Sequence, residues 1–157
     1  MDVNAIIREL LESLSSQLQD RQIESRLELM SELPHVYGNR GQLQEVVSNL
    51  VANAIEAENT SDRSRVLHVK TELRDRKAIG VVVQDSGQGI DSNKLSDLFT
   101  GLISTKPYGM GLGLAISRMI IDYHGGKLTA LSDGKDGASF EFVLPIASID
   151  QNSAGAE

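Results

Sequence analysis

Two asparagines one helical turn apart, Asn49 and Asn53, sit in Asn49-Leu50-Val51-Ala52-Asn53-Ala54-Ile55-Glu56-Ala57. Glu45 precedes them by one turn and Glu56 follows. The residues make a polar stripe on one shoulder of a helix. Asn is a poor interior helix residue because its amide competes for backbone groups. One reading is a pair of partly exposed polar residues at the helix edge. The other is a site: amide oxygens at fixed spacing suit a hard cation such as Mg²⁺ and the phosphates it carries. A second candidate is Asp85, the last residue of an apolar strand, followed by Ser86-Gly87-Gln88-Gly89-Ile90. A carboxylate there, with glycines opening the backbone beside it, can grip a small ligand; an ordinary Asp-Ser-Gly turn has the same sequence. The third is Ser104-Thr105-Lys106-Pro107-Tyr108-Gly109-Met110-Gly111-Leu112-Gly113-Leu114. A glycine-rich loop feeding a helix N-terminus suits phosphate, and Lys106 would add a point charge. No Gly-Lys-Ser/Thr follows, so it is not a Walker loop, and the spacing is not G-x-G-x-x-G.

The elements that must carry these residues can be read from periodicity. Leu43, Val46, Val47, Leu50, Val51 and Ala54 share one arc of a helix running from about Gly41 to Glu58, which Asn39 can cap. Ahead of it, Asp2 can cap a helix with Val3, Ile7, Leu10, Leu14 and Leu18 on one face, continuing to about Asp20. Ile23 to Met30 is expected as a first strand. Val66–Leu73 and Ala78–Asp85 are expected to form an antiparallel hairpin about Arg74–Lys77. Asp91 to Met110 loses its pattern and is expected to be a functional lid. A helix from Leu112 to Tyr123 follows, ended by Gly125-Gly126, and then a hairpin of Lys127–Leu131 and Ala138–Leu144. Residues 147–157 are expected to be a disordered tail beyond a single domain of residues 1–146.

Composition excludes several classes. The chain has 157 residues, enough for one domain with a real core, and is 40% hydrophobic. It has no Cys, hence no disulfide framework or thiolate metal site. With a net charge of −7 and no basic stripe, no nucleic-acid partner is expected. No apolar run approaches a bilayer span and the N-terminus lacks a signal-peptide pattern, so no membrane contact and a cytoplasmic location are expected.

Taken in order, the Asn helix, the Asp85 strand end, the lid and the glycines before the next helix resemble the ATP-binding domain of sensor histidine kinases, in the superfamily of gyrase, heat-shock chaperone, histidine kinase and mismatch-repair ATPases. The resemblance runs from about Asp2 to Pro145. It implies an α/β two-layer sandwich, with a mixed and mainly antiparallel sheet of about five strands on three main helices. It implies ATP and Mg²⁺ as cofactors, with Asn53 the metal ligand and Asn49, Asn53 and Lys106 the catalytic residues. The nucleotide site would comprise Asn49, Asn53, Asp85 as adenine anchor, Gly87, Gly89, Ile90, Thr105, Lys106, Gly109, Gly111, Leu112, Gly113 and Leu114. Gly137-Ala138-Ser139-Phe140 resembles the closing segment of the family, which brings Ser139 to the base. Leu98-Phe99 resembles the start of the lid motif, but Gly101 and Leu102 depart from its Pro-Phe ending. Glu56 stands where many sensor kinases have a basic residue, and Asn49 where the hydrolysing relatives have a general-base Glu. Glu45 is a weaker candidate for that base.

The histidines are His35, His68 and His124, and none is followed by an acid. The acceptor His is therefore expected on a separate dimerisation domain, with a response regulator downstream and this domain alone a monomer. Two other functions fit the same residues: a nucleotide-gated interaction module, and a Ser/Thr-directed anti-sigma-type kinase.

Overall fold

The computed structural model describes residues 1–58, 65–87, 90, 110–132 and 137–147. In chain order the elements are α1 (Val3–Ser13), α2 (Ser15–Asp20), β1 (Ile23–Glu28), α3 (Arg40–Glu58), β2 (Arg65–Arg74), β3 (Ala78–Asp85), α4 (Met110–Tyr123), β4 (Lys127–Ser132) and β5 (Ala138–Pro145). The five strands form one sheet in the order β1-β2-β3-β5-β4. Among the described residues only β1 and β2 pair in parallel. A parallel pair needs a crossover, and α3 supplies it.

Strand alternation gives the sheet two different faces. Leu67, Val69, Ile79, Val81, Val83, Phe140, Phe142 and Leu144 are buried on one face. α3 and α4 pack there, and Leu43, Val46, Val47, Leu50, Val51 and Ala54 of α3 are all buried, as their spacing predicts. The opposite face carries His68, Lys70, Glu72, Arg74, Gln84 and Glu141. The expected two-layer α/β sandwich is what forms.

Three boundaries differ from expectation. The first helix breaks at Leu14, whose ψ of 4° leaves the helical range. Ser13 Oγ donates back to the Leu10 carbonyl at 2.6 Å and two more serines follow; such hydroxyls compete for helix backbone groups. β1 stops at Glu28 rather than Met30, because side chains take over the backbone of Met30. Its N–H donates to Thr71 Oγ1 (2.8 Å), its carbonyl accepts from Asn4 Nδ2 (2.8 Å), and Thr71 Oγ1 donates to Asn4 Oδ1 (2.9 Å). α4 starts at Met110, so Gly111, Leu112 and Gly113 fall in its first turn.

Both long helices are closed as the sequence predicts. Asn39 Oδ1 accepts from the Gln42 N–H at 2.9 Å at the start of α3. At the end of α4 the Gly126 N–H donates to the Ile121 carbonyl and the Gly125 N–H to that of Asp122, with Gly125 at φ +80°. That is a Schellman closure. His124 ties the two ends together. Its Nδ1 donates to the Ile120 carbonyl (2.8 Å) and its Nε2 accepts from the Asn39 N–H (3.0 Å). A Cβ on Gly38 would stand 2.3 Å from the His124 ring, so only glycine fits beneath it.

Candidate nucleotide site

Along β3 the inner face is apolar through Ile79, Val81 and Val83 until the strand ends, and there it presents Asp85, only 4% exposed. Asp85 Oδ1 accepts from two backbone N–H groups, Gly87 at 2.9 Å and Ala138 at 3.2 Å. One oxygen thereby ties the turn after β3 to the start of β5. Glycines allow the approach on both sides. A Cβ on Gly87 would lie 2.6 Å from the Ala57 carbonyl oxygen near the end of α3. A Cβ on Gly137, where φ is +100°, would lie 2.1 Å from the Asp85 carbonyl oxygen. Ser86 Oγ accepts from the Val66 N–H (2.9 Å). The Ile90 N–H donates to Ser132 Oγ (2.8 Å), which itself donates to the Gly137 carbonyl (2.8 Å).

The two asparagines face α4 and the core differently. Asn49 is half-buried, and its Nδ2 donates to the Gly113 carbonyl (3.2 Å) and to Ser117 Oγ (3.1 Å). Asn53 is 8% exposed, more buried than the partly exposed helix edge of the first reading, which Asn49 still fits, and no described residue hydrogen-bonds the Asn53 side chain. Among the described residues no group of three or more His, Cys, Asp or Glu is placed to hold a metal. A cation here would therefore have to bring most of its own ligands.

The structure thus brings Asn49, in the middle of α3, to Gly113 in the first turn of α4, which also holds Gly111 and Leu112 and leads to Leu114, and brings Asp85 to Gly87, which lies against Ala57 near the end of α3 one turn beyond Asn53; Ile90 meets Ser132 beside Gly137. It does not bring Ser139 to Asp85. With a side-chain period of two, Ser139 pairs with Gln84 on the opposite face, and Ala138 is the residue beside Asp85. Glu45 lines a separate groove of about 460 Å³ between α1 and α3, with Glu9, Ser13 and Ser48. Gly89, Thr105, Lys106 and Gly109, with the expected lid, lie outside the described residues. Sequence reasoning missed Ser117, fully buried on the core side of α4. Its signal was present: a polar residue within the apolar stripe of Leu114, Ile120 and Ile121. It also missed Ser132, for which turn residues nearby gave no hint.

Residues 38–148 match the family described as histidine kinase-, DNA gyrase B-, and HSP90-like ATPase, and the chain belongs to it. Sensor protein TdiS of Thauera aromatica is 35% identical over 147 residues, covering 92% of this chain and 27% of TdiS. Sensor protein FixL of Bradyrhizobium diazoefficiens is 42% identical over 112 residues, covering 71% of this chain and 22% of FixL. The chain thus spans about a quarter of the length of either sensor protein. Among solved structures, the catalytic domain of histidine kinase ThkA superposes with a TM-score of 0.81 at 31% identity, over 93% of both chains. ThkA has also been solved in complex with the response regulator protein TrrA, where 94% of this chain and 41% of that one match at 28% identity and a TM-score of 0.78. The fold is that of a histidine kinase catalytic domain.

Proposed function

We propose that this chain is the ATP-binding, catalytic part of a sensor histidine kinase, which moves the γ-phosphoryl group of ATP to a His on a dimerisation domain. The observation that carries the reading is Asp85. It is a buried carboxylate that follows the apolar Ile79, Val81 and Val83 of β3, held by backbone N–H groups at the strand's end, with glycines on both sides. A carboxylate offers only lone pairs. It suits the exocyclic amino group of adenine and repels the carbonyl that guanine carries at the same place. Asn53 is the residue to meet Mg²⁺, which neutralises phosphate charge when bound. Its amide, which no described residue hydrogen-bonds, fits a metal whose remaining ligands come from the triphosphate. The glycines of Gly109 to Gly113, with Thr105 and Lys106, would take the phosphates.

Chemistry at such a site is positioning and charge neutralisation. A lone pair of the acceptor imidazole forms the P–N bond while the bond to the β-phosphate oxygen breaks and ADP leaves. The acceptor belongs to another domain or chain. His124 has both ring nitrogens engaged, and His68 Nε2 lies 2.8 Å from Glu28. A response regulator is then the downstream partner, in keeping with the ThkA complex, and a cytoplasmic location follows from the ATP supply. No described helix is long and apolar enough to cross a membrane. The test is incubation with γ-labelled ATP and a separately expressed dimerisation-helix domain. The expected product is acid-labile, base-stable phosphohistidine on that domain. Binding of ATP without label transfer would instead make the chain a nucleotide-gated interaction module, and an acid-stable product would make it a Ser/Thr kinase.

A further inference from the structure

Ser117 is fully buried in the middle of α4, on the face toward the core. A buried hydroxyl on such a face needs a partner. That partner is Asn49 of α3, whose amide nitrogen donates to Ser117 Oγ at 3.1 Å and to the Gly113 carbonyl at 3.2 Å. A carbonyl oxygen can only accept, so Gly113 fixes which end of the Asn49 amide is nitrogen. Both protons of that nitrogen have acceptors one turn apart on α4. Asn49 Oδ1 is then the amide's remaining acceptor, as near to Gly113 as Nδ2 is (each 3.7 Å from a Cβ placed there), and no described residue donates to it. The residue therefore meets the nucleotide site as an acceptor. An acceptor repels phosphate oxygens and attracts a cation or the water that a cation holds.

We infer that Ser117 is a positioning residue that locks the Asn49 amide, with its oxygen turned toward the metal carried by the nucleotide. The inference rests on the nucleotide-binding reading above and assigns Ser117 a role in it. Without the hydroxyl, one amide proton loses its acceptor and the amide can turn. Binding of the metal-loaded nucleotide should then suffer, whereas binding of the metal-free nucleotide should not. A Ser117 that merely packed the core would affect both alike.

The experiment is calorimetric titration of a non-hydrolysable ATP analogue, with MgCl₂ or with EDTA, into wild type, Ser117→Ala, Asn49→Ala and the double variant. Alanine is the best helix former, so the α4 change leaves the helix intact. Ser117→Ala is expected to weaken binding with Mg²⁺ by about three- to tenfold, the worth of one hydrogen bond. It should leave binding in EDTA unchanged and add nothing in the Asn49→Ala background. Ser117→Thr and Ser117→Val share one shape and differ in the hydroxyl, so Thr should bind the Mg²⁺-loaded analogue more tightly than Val. Equal losses with and without Mg²⁺, a loss that persists without Asn49, or no loss at all would overturn the role of Ser117 while wild-type binding stands. A wild type that binds the analogue under neither condition would remove the nucleotide reading, and the inference with it.

Discussion

The two faces of one sheet handle buried and half-buried charge in opposite ways. On the inner face Asp85 Oδ1 accepts from the backbone N–H groups of Gly87 and Ala138. On the outer face Arg74 reaches from β2 across Gly80 of β3 to Glu141 of β5, and also pairs with Glu72, which Lys70 meets at 3.3 Å. The outer charges satisfy one another and staple three strands. The inner carboxylate is pinned through one oxygen by backbone N–H groups at the end of β3 and the start of β5. Hydrogen bonds in such a low-dielectric setting count most. Ion pairing on one face builds structure, and backbone pinning on the other builds a place for a ligand.

The largest test of this contrast uses one glycine from each face. A Cβ at Gly137 would meet backbone, the Asp85 carbonyl oxygen at 2.1 Å, and φ there is +100°. A Cβ at Gly80 would meet only the Arg74 side chain, at 3.1 Å. Gly137→Ala is expected to lose about 3 kcal/mol of stability or more, through strain and displacement of the β3 end. Gly80→Ala should cost less than about 1 kcal/mol, because Arg74 can move aside and exposed pairing is worth little. Urea denaturation of both variants measures this. Equal losses would mean that the inner turn is as adaptable as the outer face.

Next in size is Asp85 itself. Asp85→Ala leaves the Gly87 and Ala138 N–H groups without an acceptor, whereas Asp85→Asn retains an amide oxygen for them. Alanine should therefore destabilise the fold by about 1–3 kcal/mol and asparagine by less. Both should weaken ATP binding, with about 1.5–3 kcal/mol lost in Asp85→Ala, the range for a hydrogen bond to a charged group. GTP binding should change much less. A competition titration of ATP against GTP, on variants shown to be folded, reads the result. Unaltered preference for ATP would move the base pocket elsewhere.

These residues also show where sequence reasoning is strong. Asp85 was legible because a carboxylate ending the run Ala78–Asp85 breaks the apolar pattern just where glycines begin. The core face of α3 was legible because six apolar residues at helical spacing leave one way to fold. Ser139 was misplaced because a motif match fixes position in the chain, while a period of two decides the face; a shift of one residue moves a side chain across the sheet. The break at Leu14 was missed because the apolar spacing continues through it, while the local competition of Ser13, Ser15 and Ser16 decides the backbone. Asn49 was read as pointing at a ligand, and its amide nitrogen is instead tied to α4. That partner lies 68 residues further along the chain, a distance over which periodicity carries no information.

The smallest effects compare two copies of one pattern on the outer face, Glu24-x-Arg26 in β1 and Glu72-x-Arg74 in β2. In both the Arg lowers the carboxyl pKa of its Glu below the ordinary range, chiefly through the side-chain hydrogen bond. For Glu72 burial opposes this and Lys70 assists, while Arg74 is itself raised, first by Glu141. A carboxyl whose folded pKa is depressed contributes stability above its unfolded pKa, about 4.3, and loses it as pH falls through the folded value. Glu72→Gln should therefore be less stable than wild type at neutral pH, by about 1 kcal/mol or less, and should converge on wild type in acid below the ordinary carboxylate range. The Glu24–Arg26 pair has the same chemistry at 2.7 Å, but it lies within one edge strand and is fully exposed. Water and salt screen it, and two long side chains lose entropy to form it. Arg26→Ala should leave the melting temperature where it was, while Arg74→Ala lowers it and makes it less sensitive to salt. A loss in Arg26→Ala matching that of Arg74→Ala would show that local pairing, and not the span across three strands, sets the worth of these contacts.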